Sequence, residues 1–315
     1  MRIILFTFMI MFNTMVMSCQ NDQETENDMV HVRALDLSEY TPAAPTDKIH
    51  LLFIHHSTGG QLLADKGPDV GKDGLYKTHP NGGGLRHLLE ENNYIVHEAS
   101  FNSLLGDETD ICHWNAKFRD HMNEILSCSG QDSFFSDNTR NKVIVFKSCF
   151  PNNRIESDGN APGDPDSCVR TLANLQASYR SLLHYFKKQP GTLFVVVTAP
   201  PLAKPAISRK GWIMEHLKTV AGRPDTIEKV GKRARLFNTW LKDVGNGWLK
   251  DYELKNVVVF DYYDVLTGRG QSNWSQYPTK NGIDSHPSAE GNAKAAQEII
   301  PVINRAVHRL GIATE

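Results

Sequence analysis

Two short segments near opposite ends of this 315-residue chain carry the residue types of a nucleophilic site. The first is Leu51-Leu52-Phe53-Ile54-His55-His56-Ser57-Thr58-Gly59, an apolar run that stops at a serine and two glycines. The second is Asp284-Ser285-His286-Pro287, which sets a carboxylate and an imidazole two residues apart. A serine hydroxyl becomes a nucleophile only when a base takes its proton, and the base needs a carboxylate to orient it. All three groups are present. Taken alone, Ser57 reads better as a turn serine that caps a following helix.

Something must bring these segments together. Five apolar, β-branched runs of strand length are present: Ile49–Ile54, Tyr94–Ala99, Lys142–Phe146, Leu193–Thr198 and Asn256–Phe260. Runs such as Val143-Ile144-Val145-Phe146 do not alternate, which suits strands covered on both faces. Helical spacing of apolar residues falls between them, over Gly84–Asn92, Trp114–Leu126, Cys168–Phe186, Thr226–Trp248 and Ser288–Leu310. Alternating strands and helices predict an α/β fold, a three-layer α/β/α sandwich around a mostly parallel five-stranded sheet. Four polar insertions interrupt the rhythm, at Gln61–Gly83, Gln131–Arg140, Asn152–Ser167 and Pro200–Arg223. Long loops after strand ends are where open α/β sheets bind ligands, so these are expected to shape a pocket.

The strand ends add two groups. After the second strand comes Asn102-Ser103-Leu104-Leu105-Gly106-Asp107, where a glycine lets a backbone N–H approach a ligand. After the third comes Ser148-Cys149-Phe150-Pro151-Asn152-Asn153, where a side-chain amide can donate to an oxyanion. With Ser57 and the Asp284/His286 pair, this order resembles the SGNH (GDSL-type) hydrolase superfamily over about Lys48 to Leu310. The resemblance implies a flavodoxin-like sheet and a serine esterase. It implies Ser57 as nucleophile, His286 as general base and Asp284 as its orienting carboxylate. The implied oxyanion hole is the Ser57 N–H, the Gly106 N–H and the Asn152 amide, with Asn153 or Ser148 as substitutes for the last. The sequence departs from the pattern in three places. His56 precedes the serine where the family has Asp, the pair is Asp-x-His, and the asparagines follow Pro151.

Other residues carry weaker expectations. His55 and His56 face opposite sides of a continuing strand, which argues against one shared metal. Lys147 is expected to be solvated at a strand end. No CxxC pair is present, so no metal or cofactor is expected. Cys112, Cys128, Cys149 and Cys168 allow two disulfides, with 112–128 and 149–168 the local pairing among three possibilities.

The N-terminus reads as an export signal. Arg2 precedes a nearly all-apolar run, Ile3 to Met17, and Val16-Met17-Ser18-Cys19 resembles a lipobox, with Cys19 lipidated. Residues 1–18 are then a lipoprotein signal peptide, 19–46 a polar tether and 47–315 the catalytic domain. Gln20 after the cysteine points to the outer membrane of the cell envelope, and the acidic Asp22–Glu26 stretch resembles a surface-export tether. A formal charge of −2 gives no footprint for nucleic acid. The expected partners are a small-molecule or glycan ester substrate and, through Cys19, a membrane. Two further functions fit the same residues: an O-acyltransferase acting on glycans, and an inactive surface glycan-binding lipoprotein. An α/β-hydrolase fits less well, because its serine follows a later strand and its Asp and His lie on separate loops.

Overall fold

The structure, a computed structural model, describes residues 32–313. The signal segment, Cys19 and the first part of the tether lie outside the described residues. Five strands form the central sheet: β1 (Ile49–Ile54), β2 (Tyr94–Ala99), β3 (Val143–Lys147), β4 (Leu193–Val197) and β5 (Val257–Phe260). All their pairings are parallel, in the spatial order β5-β4-β3-β1-β2. This is the flavodoxin-like order 2-1-3-4-5. The chain reverses its direction of winding at β1 and β3, and a crevice opens outside their C-terminal ends. Ser57 follows β1 and Cys149–Asn153 follows β3, so both segments lie at that crevice.

Side chains of one strand feed two cores because successive residues point to opposite faces. Leu51 and Phe53 join a cluster with Leu62, Leu89 and Ile299, on the side of α1 (Ser57–Leu63), α2 (Leu85–Glu91) and α9 (Ala289–Leu310). Leu52 and Ile54 join Trp114, Ile125, Leu182 and Phe237 on the other side. That side carries α3 (Ile111–Asp120), α4 (Met122–Ser127), α5 (Leu172–Phe186) and α7 (Ile227–Lys242). These two layers are the reason the strand runs are apolar without alternation. The helix ends are capped as their sequences suggest. The Thr171 hydroxyl accepts the Asn174 N–H at α5, Ser288 accepts the Gly291 N–H at α9, and Gly311 closes α9 with φ 81°.

Several expectations change. The helix expected over Trp114–Leu126 is two, broken at His121, and starts earlier, at Ile111. The Gln61–Gly83 insertion folds into a three-stranded ribbon of Asp65–Lys66, Leu75–His79 and Val70–Lys72. The Pro200–Arg223 insertion carries a helix, α6 (Arg209–Val220), whose N-cap Ser208 accepts the Gly211 N–H. A short helix, α8 (Tyr262–Leu266), follows β5. Residues 32–46, read as tether, pack on the domain instead. Ala34 bridges Asp243, Leu37 is buried, and Asn304 and Arg305 donate to the carbonyls of Pro42, Leu37 and Ser38. The tether expectation followed polarity alone, and polar side chains do not stop backbone carbonyls from accepting bonds. The disulfide pairing also differs. Cys112 bonds Cys168, and Cys128 and Cys149 are free. Proximity in sequence misled here, because the parallel crossover brings the start of α3 to the loop before α5. Among the described residues no helix is long and apolar enough to cross a membrane.

Candidate active site

Ser57 is the first residue of α1, immediately after β1 and the two histidines. The helix can start this close to the sheet because Gly59 has no side chain. A Cβ there would lie 2.3 Å from the His55 Cβ. His55 is fully buried, with Nε2 3.0 Å from a Glu98 carboxylate oxygen and Nδ1 3.0 Å from the His56 carbonyl. Glu98 in turn pairs with Arg86. His55 therefore ties β1 to β2 and fixes the peptide that precedes the serine; it does not reach the site.

Asp284–Pro287 is a short strand, paired antiparallel with Pro278–Thr279. Residues i and i+2 of a strand share a face, which gives the Asp-x-His spacing its meaning. The Asp284 Oδ1 accepts both the His286 backbone N–H at 3.0 Å and the ring Nδ1–H at 2.7 Å. Burial opposes ionisation of Asp284. The two His286 bonds and the Lys280 ammonium, 3.0 Å away, outweigh it and hold the carboxyl well below the usual carboxylate range. The His286 Nε2 lies 3.3 Å from the Ser57 Oγ. The Phe150 ring meets the imidazole edge-on, with centroids 4.9 Å apart. Thus Ser57, His286 and Asp284, 229 positions apart in sequence at the serine–histidine step, form one connected line of side chains.

The other expected donors do not join that line. The Gly106 N–H donates to the Ser103 hydroxyl at 2.9 Å in a buried turn. Glycine is required there for packing, since a Cβ would sit 2.0 Å from the Ser100 carbonyl oxygen. The buried Asn152 amide donates to Asp110 at 2.7 Å and to the Cys149 carbonyl at 3.1 Å, and its oxygen accepts the Ile111 N–H. Asn152 thus holds the start of α3 against the loop after β3. The Asn153 amide donates to the Ala199 and Pro200 carbonyls, and the Ser148 hydroxyl accepts the Trp114 indole N–H. Every group expected at the third segment is spent on structure. Of the expected oxyanion set, the Ser57 N–H remains without a partner among the described residues, and so does the Thr58 N–H beside it. Both open α1, where no helical carbonyl is available to them.

Three neighbours of the line stand in places the sequence reading did not give them. Lys147 is buried rather than solvated; its ammonium donates to the Thr58 hydroxyl and, at 3.1 Å, to the Ser148 carbonyl. Burial pushes its pKa down to about 8. The Cys149 Sγ lies 3.4 Å from the Thr58 hydroxyl and 3.9 Å from the Ser57 Oγ. His56 stacks on Phe101 with centroids 3.9 Å apart, and burial lowers its pKa to about 4. The signal for Lys147 was its place at the end of an otherwise unbroken apolar strand.

No family model and no curated protein matches this sequence. Similar solved structures include a putative GDSL-like lipase from Parabacteroides merdae, at 12% identity over 86% of this chain and 100% of that one, TM-score 0.41. A catalytic mutant of an acetylxylan esterase from Geobacillus stearothermophilus aligns at 12% identity over 84% and 95%, TM-score 0.40. A carbohydrate esterase family 2 enzyme with a carbohydrate-binding domain, from Corynascus thermopiles, aligns at 14% over 86% and 69%, TM-score 0.38. At such identities and TM-scores the chemistry of the site must be judged on its own residues.

Proposed function

We propose that this protein is a serine esterase that hydrolyses ester bonds, with acetyl or other acyl esters on carbohydrate as the substrate class. The observation that carries the reading is the side-chain line from the Ser57 Oγ through His286 to Asp284. His286 Nε2 takes the Ser57 proton as the oxygen attacks the ester carbonyl. Asp284 keeps Nδ1 protonated and steadies the imidazolium that forms. The carbonyl oxygen becomes an oxyanion, and the unpartnered Ser57 and Thr58 N–H groups at the start of α1 are the donors available to it. Collapse of the intermediate breaks the ester C–O bond, and His286 returns the proton to the leaving alcohol. Water, deprotonated by His286, then attacks the acyl-serine and releases the acid. The same acyl-serine would acylate a sugar hydroxyl if one displaced that water, which is the transferase alternative.

Hydrolysis of p-nitrophenyl acetate and of an acetylated oligosaccharide tests the reading. Turnover that vanishes in Ser57→Ala supports it, and turnover that persists in that variant overturns it. The spent Gly106 and Asn152 donors favour one second reading, a glycan-binding protein of this fold without turnover. It predicts glycan affinity with no acyl release. For location, the Val16–Cys19 motif supports an exported lipoprotein held to the cell envelope through Cys19. Incorporation of a palmitate analogue that is lost in Cys19→Ala tests that.

A further inference from the structure

Lys147 ends β3, the central strand of the sheet. Its side chain points to the α1 side, where Val143 and Val145 of the same strand face pack. It is 1% exposed. Its ammonium donates to the Thr58 hydroxyl on α1 and, at 3.1 Å, to the Ser148 carbonyl. The fully buried Tyr262 ring stands 5.8 Å from it, and the Cys149 Sγ touches the same Thr58 hydroxyl at 3.4 Å. No carboxylate pairs with Lys147 among the described residues, whereas Arg86, Arg233, Arg235 and Lys242 each have an Asp or Glu.

Burying an ammonium without a counter-charge is strongly unfavourable. Packing does not require one here, because a methionine fills the same length without that cost. Burial pushes the Lys147 pKa down to about 8, so the group is still mostly charged at neutral pH. The reaction proposed for Ser57 forms a negative charge close by. An oxyanion appears twice, in acylation and again in deacylation, with the Ser57 and Thr58 N–H groups as its donors. Thr58 thus joins the two charges: its N–H is open, and its hydroxyl is held by Lys147. In a site with little water, a fixed charge is screened far less than at the surface. The titratable groups facing the ammonium are Cys149 after β3, Tyr262 on α8 and, through the field, His56 before α1.

We infer that Lys147 is a positioning residue of the esterase: through the Thr58 hydroxyl it holds the Thr58 N–H for the oxyanion, and its charge favours that oxyanion. The inference rests on the esterase reading for the reaction it serves. The test is kcat for p-nitrophenyl acetate, measured on the full chain across about pH 6–10. The ammonium is lost as pH rises through about 8, so wild-type kcat should fall over that range. Lys147→Met should lower kcat at neutral pH about 10- to 100-fold, with KM within about twofold, and the alkaline fall should disappear. Its urea unfolding midpoint should be unchanged or raised, because an apolar chain replaces a buried charge. Thr58→Val should lower kcat similarly, and the double variant should lose no more than the worse single one. Cys149→Ser should keep the alkaline fall, since the thiol is not its source. If Lys147→Met does not fold, Lys147→Gln carries the same comparison. Near-wild-type kcat without Lys147, losses that add in the double variant, or turnover lost in step with the unfolding midpoint would overturn the inference. So would an alkaline fall that is absent from the wild type, survives without Lys147 or vanishes without Cys149. Wild-type protein with no Ser57-dependent hydrolysis would strike the esterase reading and this inference with it. Wild-type hydrolysis that is indifferent to Lys147 would strike the inference alone.

Discussion

The two halves of the expected site sit on the same sheet edge and are built differently. Ser57, His286 and Asp284 meet through side-chain atoms that reach one another directly. Gly106 and Asn152 occupy the expected strand ends, yet their donors are committed to Ser103, Asp110 and the Cys149 carbonyl. The contrast teaches that a strand end supplies a position, not a free donor. A buried N–H left unpaired is costly, so the chain satisfies it locally unless a ligand is meant to do so. At the start of α1, where helix geometry removes the partner, the Ser57 and Thr58 N–H groups stay open.

Variants at the two halves should therefore fail in different ways. His286→Ala should reduce ester turnover by about 10⁶-fold and Asp284→Asn by about 10⁴-fold, measured as kcat, with the unfolding midpoint little changed. Gly106→Ala should instead unfold the protein at lower denaturant, by about 3 kcal/mol, because its Cβ meets the Ser100 carbonyl. Asn152→Ala should cost about 1–3 kcal/mol of stability and leave kcat within a few-fold. If kcat fell about 100- to 1,000-fold with stability intact, Asn152 would be an oxyanion donor after all, and the contrast would break. The smallest effect concerns His56. Its pKa lies near 4 in the folded protein, below the usual value of about 6.5, so the unfolded chain binds more protons between those limits. Stability should fall as pH drops from 6.5 towards 4, and urea titrations of His56→Gln should show a shallower fall.

The sheet was legible because β4 and β5 are wholly apolar and β1, β2 and β3 mostly so, and β1 and β2 span the residues expected of them. The Ser57–His286–Asp284 line was legible because Ser57 follows the first strand and the Asp-x-His pair precedes the last helix; the short strand that sets the pair on one face was not read from the sequence. What escaped depends on tertiary neighbours. Nothing in Asn152 itself says that Asp110 and the Ile111 N–H will claim it. Nothing near Cys112 points 56 residues ahead to Cys168. Helix α6 hid between prolines, although Ser208 followed by a proline-free stretch is a usable start signal. Its exposed Trp212, Ile213 and Leu217 also defeat a periodicity argument, because this helix turns Glu215 and Lys218, not its apolar residues, towards Asp225 and the start of α7.

The most direct test is chemical. The folded protein, treated with a fluorophosphonate and digested, should yield one phosphonylated peptide, modified at Ser57. Labelling should be absent in Ser57→Ala and strongly slowed in His286→Ala. Folded protein that leaves Ser57 unmodified, or reacts at the same rate without His286, would contradict the assignment of Ser57 as an activated nucleophile.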